Sequence, residues 1–270
     1  MLSGSGGTCH NPRVLLMENL HVTWPALWRD LPLAVLDVET TGFNADEERI
    51  IEIAIIRFEG GVVVDRYGQL VQPGRAIPDE VVKITGIRDE DVVDAPTFET
   101  IAHEVHARLQ GVGLVAYNLN FDRNFVRAEL GRCGLEWPED SPTLDPLIFA
   151  RQFFKNSPRK NLSTISKLLG IPLEEAHRAV HDAEVAGKVL FAFEDRLPPD
   201  LQQLLVLQKQ WEAAQAQEMS SWKGFDGDLT AAFGENAIGL GPAYIYGDEA
   251  DPLRALYMSV PEAPKNRPPL

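Results

Sequence analysis

The 270-residue chain has little cysteine. Its two cysteines, Cys9 and Cys133, are too few for a disulfide framework or a zinc-binding cysteine cluster. A reducing, cytoplasmic setting fits that usage. No apolar run reaches membrane-spanning length. The N-terminus has no basic stretch followed by an apolar block, so neither a membrane span nor a secretory signal is expected. Positive charge is also scarce, with 25 Lys and Arg against 40 Asp and Glu and a formal net charge of −15. That balance excludes a broad basic surface for binding polyanions non-specifically. It leaves open an anion held locally through metal ions, because bound cations invert the local field. There is no internal repeat. The chain does carry 44% hydrophobic residues, enough for a full core in one large domain with an appendage.

The organising stretch is Leu33-Ala-Val-Leu-Asp37-Val-Glu39-Thr40-Thr41-Gly42. Apolar residues run up to Asp37, as in a buried strand. Asp37 and Glu39 are two apart, so both carboxylates leave one face of that strand. Two acids at the end of a buried strand are costly unless compensated. Hard divalent cations are the usual compensation, since they prefer carboxylate oxygens. The alternative is a strand running out into a solvated acidic loop.

Further along, Ile50–Phe58 and Val62–Val71 read as strands joined by a Gly60-Gly61 hairpin. With the first strand they form an antiparallel meander. Pro73–Asp94 is a polar connection with short helical pieces. Thr97–Leu109 has helical spacing, Gly113–Tyr117 is a short buried strand, and Phe121–Cys133 is a helix after a turn. Thr143–Asp145 ends a fifth strand, followed by a helix through Phe154. A basic loop holds Lys155, Arg159 and Lys160. Helices over Asn161–Gly170 and Ala179–Phe193 follow, the second after a loop holding His177. Three antiparallel strands, then strands alternating with helices, predict an α/β domain with one mixed five-stranded sheet flanked by helices. The expected division is an N-terminal arm at 1–30, the domain at 31–197 and a C-terminal appendage at 198–270. That appendage is a helix from Leu201 to Met219 with Gln-rich polar faces, then a Gly-, Pro- and aromatic-rich tail that packs on the domain or on a partner.

Four acids and one histidine stand out. Asp37 and Glu39 lie on the first strand. Asp122 opens a helix in Ala116-Tyr117-Asn118-Leu-Asn-Phe121-Asp122. Asp182 lies in the first turn of a late helix, five residues after His177. In this order the motifs resemble those of the DEDDh 3′–5′ exonucleases, the DnaQ-like proofreading family of the ribonuclease-H-like superfamily. The motif Asp-x-Glu-Thr-Thr-Gly is present in full. The second motif has Tyr117 where the family has a histidine, and that histidine is not the catalytic one. The third matches at His177 and Asp182. The likeness spans roughly residues 31–195.

The resemblance implies that Asp37, Glu39 and Asp182 bind one divalent metal and that Asp37 touches a second. Asp122 supports the second site, and His177 is the general base. It further implies that Thr40 and the backbone near Thr41 contact the terminal nucleotide, and that Asn118 and Phe121 shape its pocket. Phe43 and Phe121 are candidate stacking surfaces. The residue types suit the chemistry. Two cations, Mg²⁺ or Mn²⁺, can neutralise charge at phosphorus, and a histidine titrating near neutrality can take a proton from water. Acids this crowded are expected to hold raised pKa values without metal.

Other residues carry plainer readings. His177 and His181 are four apart, but no third nitrogen or sulfur ligand for zinc is evident. His103 and His106 lie on the polar side of a helix. Glu52, inside an Ile-rich run, either backs the metal site or faces solvent. Asp145 reads as a helix cap. The basic loop is either solvated or steers a substrate backbone. Gln203-Leu-Leu-Val-Leu207 is either an apolar helix face or a sliding-clamp-binding peptide. Asp226-Gly-Asp228 lacks the full pattern of a calcium loop.

The expectation is a two-metal 3′–5′ exonuclease releasing nucleoside 5′-monophosphates, with single-stranded DNA the first substrate and RNA the second. The alternatives are an exoribonuclease trimming RNA 3′ ends and a non-catalytic nucleic-acid-binding scaffold. The appendage would place the enzyme on a polymerase or another nucleic-acid-processing complex, and a homodimer is compatible with the resemblance. No membrane partner is expected.

Overall fold

The computed structural model describes residues 23–173 and 178–222, with side chains to Glu218. His10, His21, His177, Asp226 and the tail from 223 lie outside the described residues. In chain order the elements are β1 (Leu33–Thr40), β2 (Ile50–Glu59), β3 (Val62–Leu70), α1 (Asp79–Thr85), α2 (Asp89–Val92), α3 (Phe98–Arg108), β4 (Gly113–Val115), α4 (Leu119–Arg132), β5 (Thr143–Leu144), α5 (Pro146–Phe153), α6 (Leu162–Leu168), α7 (Ala179–Ala192) and α8 (Leu201–Trp222). One five-stranded sheet runs in the order β3-β2-β1-β4-β5. β1–β2 and β2–β3 are antiparallel, and β1–β4 and β4–β5 are parallel. The expected mixed sheet is the one found. Gly60 and Gly61, at φ 55° and 85°, supply the two left-handed residues a tight hairpin needs.

Alternation along β1 sorts the core into two layers. Ala34, Leu36 and Val38 face α3 and α4. Leu33 and Val35 face α5, α7 and the start of α8. Asp37 and Glu39 share the parity of Leu33 and Val35, so they point toward α7. That helix lies very close to the sheet. A Cβ on Gly187 would come within 2.4 Å of the Phe58 ring, and one on Gly68 within 2.2 Å of Val180. Glycine at these two positions lets α7 bring its first turn down to β1.

Some boundaries differ from the sequence reading. β4 stops at Val115, and α4 starts at Leu119 instead of Phe121. Asn118 makes the early start feasible, holding a left-handed φ of 78° that asparagine tolerates better than most residues. The polar faces of α8 are not all solvated. Gln208 and Gln215 are buried because backbone groups at β5 and α5 need partners. Gln208 accepts from Asp145 N at 2.8 Å and donates to Thr143 O at 3.0 Å, and Gln215 donates to Ile148 O at 2.9 Å. Residues 26–28 pair with 199–201 through Trp28 N to Pro199 O and Leu201 N to Ala26 O. No helix among the described residues is long and apolar enough to cross a membrane.

The close seat of α7 is testable. Gly187→Val forces its side chain into Phe58, and overpacking of this kind costs about 1–3 kcal/mol. Thermal unfolding should shift down by several degrees, while Gly131→Ala, at a position open to solvent, should shift little. Equal melting temperatures for the Gly187 variant and the parent would contradict the tight contact.

Candidate active site

β1 carries Asp37 and Glu39 to its C-terminal end, and α7 carries Asp182 in its first turn. One carboxylate oxygen from each lies within 4.8 Å of the other two. Glu39 is buried, while Asp37 and Asp182 are half-buried. At that spacing two ionised carboxylates repel by about 3 kcal/mol even at an effective dielectric near 20. All three cannot ionise cheaply unless a cation joins them. Burial first, then Asp182, Asp122, Glu39 and Glu52, pushes the Asp37 carboxyl well above the usual range. Burial, Asp182, Glu52 and Asp122 push Glu39 up to about 8, against a smaller lowering by Arg178. The expected rise in these acids is present. A set of three oxygen donors held close and disfavouring its own charge suits a hard divalent cation.

Asp122 arrives differently. It is not among those three ligands. It sits in the first turn of α4, 3% exposed, and accepts from Val38 N at 3.0 Å. β4 pairs with β1 only as far as Val35, so the Val38 N–H lies beyond the ladder and Asp122 supplies its acceptor. Burial raises its carboxyl well above the usual value despite that bond. Asp145 is the helix cap expected, and more. It accepts from Leu147 N, Asn118 N and Leu119 N at 2.9, 3.0 and 3.1 Å, so it caps α5 and starts α4 together. Burial lifts it to about 6 against the pull of those bonds.

Glu52 resolves toward the site. It lies opposite Glu39 in the β1–β2 register, is 3% exposed, and accepts from Ala179 N at 3.1 Å and the Arg178 guanidinium at 3.1 and 3.3 Å. It therefore fixes the first residue of α7, one turn before Asp182. Sequence reasoning missed Glu129. This buried acid of α4 takes a two-pronged bond from Arg49 at 2.7 and 3.0 Å and pins the β1–β2 loop.

The substrate candidates are spread around this centre. The Thr40 hydroxyl donates to Gly42 O, and the Thr41 hydroxyl donates to Glu48 and accepts from Arg49 N, so both serve their own loop. Phe43 on that loop is 40% exposed. Phe121 packs on Phe125 with ring centroids 5.0 Å apart. Tyr117, in the place of the family histidine, is buried and donates to Lys160 O.

The family model RNase_T, described as Exonuclease, matches residues 34–190. The chain belongs to this exonuclease family. The matched stretch of sequence includes Asp37, Glu39, Asp122, His177 and Asp182. The chain is 33% identical over 156 residues to DNA polymerase III PolC-type of Bacillus cereus, covering 58% of this chain and 11% of that one. It is 34% identical over 175 residues to the 3′-5′ exonuclease DinG of Bacillus subtilis, covering 63% and 19%. It is 35% identical over 162 residues to DNA polymerase III subunit epsilon of Treponema pallidum, covering 59% and 75%. The chain thus spans about a tenth of the PolC-type relatives it matches. Among solved structures, exonuclease I superposes with a TM-score of 0.58 at 19% identity, over 66% of this chain and 43% of that one. That likeness is one of fold.

Two measurements follow from this geometry. Glu39, pushed up to about 8, keeps its proton at neutral pH in the metal-free protein, so its contribution to stability is full below about pH 4.5 and fades as pH rises toward 8. A cation displaces that proton. Calorimetric titration with Mn²⁺ in buffers of different ionisation enthalpy should show proton release near pH 7 and tighter binding as pH rises to 8. Proton-neutral binding would show that the acids are already ionised.

Glu52→Ala separates anchoring from charge. If Glu52 mattered only as a negative neighbour, its loss would weaken metal no more than Glu52→Gln, which removes the same charge and keeps an acceptor oxygen for Ala179 N. Because it also holds the start of α7, the expected result is metal binding weakened by roughly tenfold.

Proposed function

We propose that this protein is a metal-dependent 3′–5′ exonuclease. It removes nucleotides singly from a free 3′ end and releases nucleoside 5′-monophosphates, with single-stranded DNA the favoured substrate. The convergence of Asp37, Glu39 and Asp182 within 4.8 Å in an exonuclease-family domain carries this reading. Those three carboxylates would hold one divalent cation, and Asp37 with Asp122 would serve a second. When bound, Mg²⁺ or Mn²⁺ supplies Lewis acidity and charge neutralisation at the scissile phosphate.

The chain's own groups do the rest. His177 takes the proton from the attacking water at a ring nitrogen. Asp122, bonded to Val38 N, keeps the end of β1 fixed while the phosphate is handled. Asn118 and Phe121 shape the space for the terminal nucleotide. Thr40 and the backbone near Thr41 contact that nucleotide, and Phe43 and Phe121 offer faces for its base. The work is placed in the cytoplasm, where both cysteines stay reduced. Relatives that are polymerase III chains support action beside a polymerase, with residues 198–270 as the contact. A homodimer is compatible with this reading.

The test is a gel assay on matched 5′-labelled single-stranded DNA and RNA with Mg²⁺, Mn²⁺ or chelator. A ladder shortening from the 3′ end should appear with metal and vanish with chelator and in Asp37→Ala. His177→Ala should slow it by about 10²–10⁴-fold. Faster loss of RNA would make the enzyme an exoribonuclease. Degradation surviving Asp37→Ala would refute the site, and none with either metal would favour a binding scaffold.

A further inference from the structure

Between Pro146 and Leu173 the sequence holds Arg151, Lys155, Arg159, Lys160 and Lys167, and not one acid. This is the longest acid-free run in a chain with 40 acidic residues. Several arginines elsewhere are paired with acids, as in Arg49 with Glu129, Arg66 with Glu184 and Arg178 with Glu52, whereas Lys83, Arg123, Arg196 and Lys209 stand singly along the chain. Among the described residues, Lys155, Arg159 and Lys167 enter no ion pair. Lys155 and Lys167 are exposed and Arg159 is half-exposed.

The segment's position matters as much as its charge. α5 and α6 pack in the same layer as α7, on the sheet face to which Asp37 and Glu39 point. α6 lies against α7, the helix of Asp182. The loop between α5 and α6 is tied to the site, because the Tyr117 hydroxyl donates to Lys160 O immediately before Asn118. Inside the loop, Ser157 Oγ donates to Arg159 O and Lys160 Nζ to Ser157 O, both at 2.6 Å. Lys160 is thereby spent on the loop's shape, whereas no such bond occupies the Lys155 ammonium or the Arg159 guanidinium.

We infer that the exposed cations of this segment, Lys155 and Arg159 foremost, bind the phosphodiester backbone of the substrate strand upstream of its 3′-terminal nucleotide. The inference rests on the exonuclease reading of the acid cluster. A chain of net charge −15 repels a polyanion over most of its surface. A basic segment on the same side of the sheet, whose Lys155 and Arg159 enter no ion pair, is where a strand can approach. Its contacts are with phosphates, so they add affinity without base preference.

The test measures binding and chemistry separately on the full chain. Binding of a fluorescein-labelled single-stranded oligonucleotide is followed by anisotropy across a salt series, with Ca²⁺ replacing the catalytic cation. Hydrolysis is followed on the oligonucleotide and on thymidine 5′-monophosphate p-nitrophenyl ester, which has one phosphodiester and no upstream strand. Lys155→Glu with Arg159→Glu should raise the oligonucleotide Kd by roughly tenfold or more. The salt slope should fall by about 1.4, that is 0.7 for each lost contact. Lys155→Gln with Arg159→Gln should give the same slope change with a smaller loss of affinity. Hydrolysis of the small ester should stay at the parent rate. Unchanged Kd and slope would overturn the inference, as would an equal loss on ester and oligonucleotide, which would place the effect at the reacting centre. Salt-dependent binding lost in the variants, with neither substrate cleaved by the parent, would sink the exonuclease reading and leave the strand-binding surface standing.

Discussion

The structure is governed by the electrostatic cost of carboxylates crowded at the end of a buried strand. Asp37 and Glu39 leave β1 on one face, and α7 adds Asp182 within 4.8 Å. None of these neighbours relieves the others, and burial worsens the repulsion. Holding such an arrangement requires stiffness in the elements that present it, because a free helix would swing Asp182 away. The stiffness is visible. Gly187 and Gly68 allow α7 to lie against β2 and β3, and Glu52 accepts the first amide of α7. Glu52 is itself an added negative charge beside Glu39. The fold accepts that penalty in exchange for a fixed helix start, with Arg178 offsetting part of it.

Much of this was legible in the sequence, for a physical reason. Period-two spacing fixes the face of Asp37 and Glu39 without knowledge of the fold, and the order of the acid motifs fixes the family. The meander, the hairpin and the parallel crossovers follow from turn chemistry and alternation. The side of Glu52 could not be read. An acid in an apolar strand signals a buried partner, but Arg178 and Ala179 are 126 and 127 residues away. Glu129 was invisible for the same reason, since on a helix it looks like an ordinary solvated acid until Arg49 meets it.

The buried glutamines of α8 were readable in part. Leu201, Leu204, Gln208, Trp211 and Gln215 recur at spacings of three and four, the stripe of one helical face. All of them touch or enter the core. Polarity argued for solvent and periodicity argued for burial, and periodicity won because the amide side chains satisfy backbone groups that would otherwise be buried without partners.

Those contacts give α8 a place in the architecture of the site, although the family match ends at residue 190. Gln208 accepts the Asp145 amide and donates to Thr143 O, completing the open edge of β5. Asp145 in turn accepts the amides of Asn118 and Leu119 at the start of α4. Three residues later Asp122 accepts the amide of Val38, between Asp37 and Glu39. An unbroken series of buried hydrogen bonds therefore joins α8 to the middle of the acid strand. Its links are backbone amides met by side-chain oxygens just after β5, at the start of α4, and at Val38 where β4 no longer pairs with β1. Asp122, Asp145 and the appended helix thus perform one structural task, supplying partners to backbone groups inside the protein where water cannot.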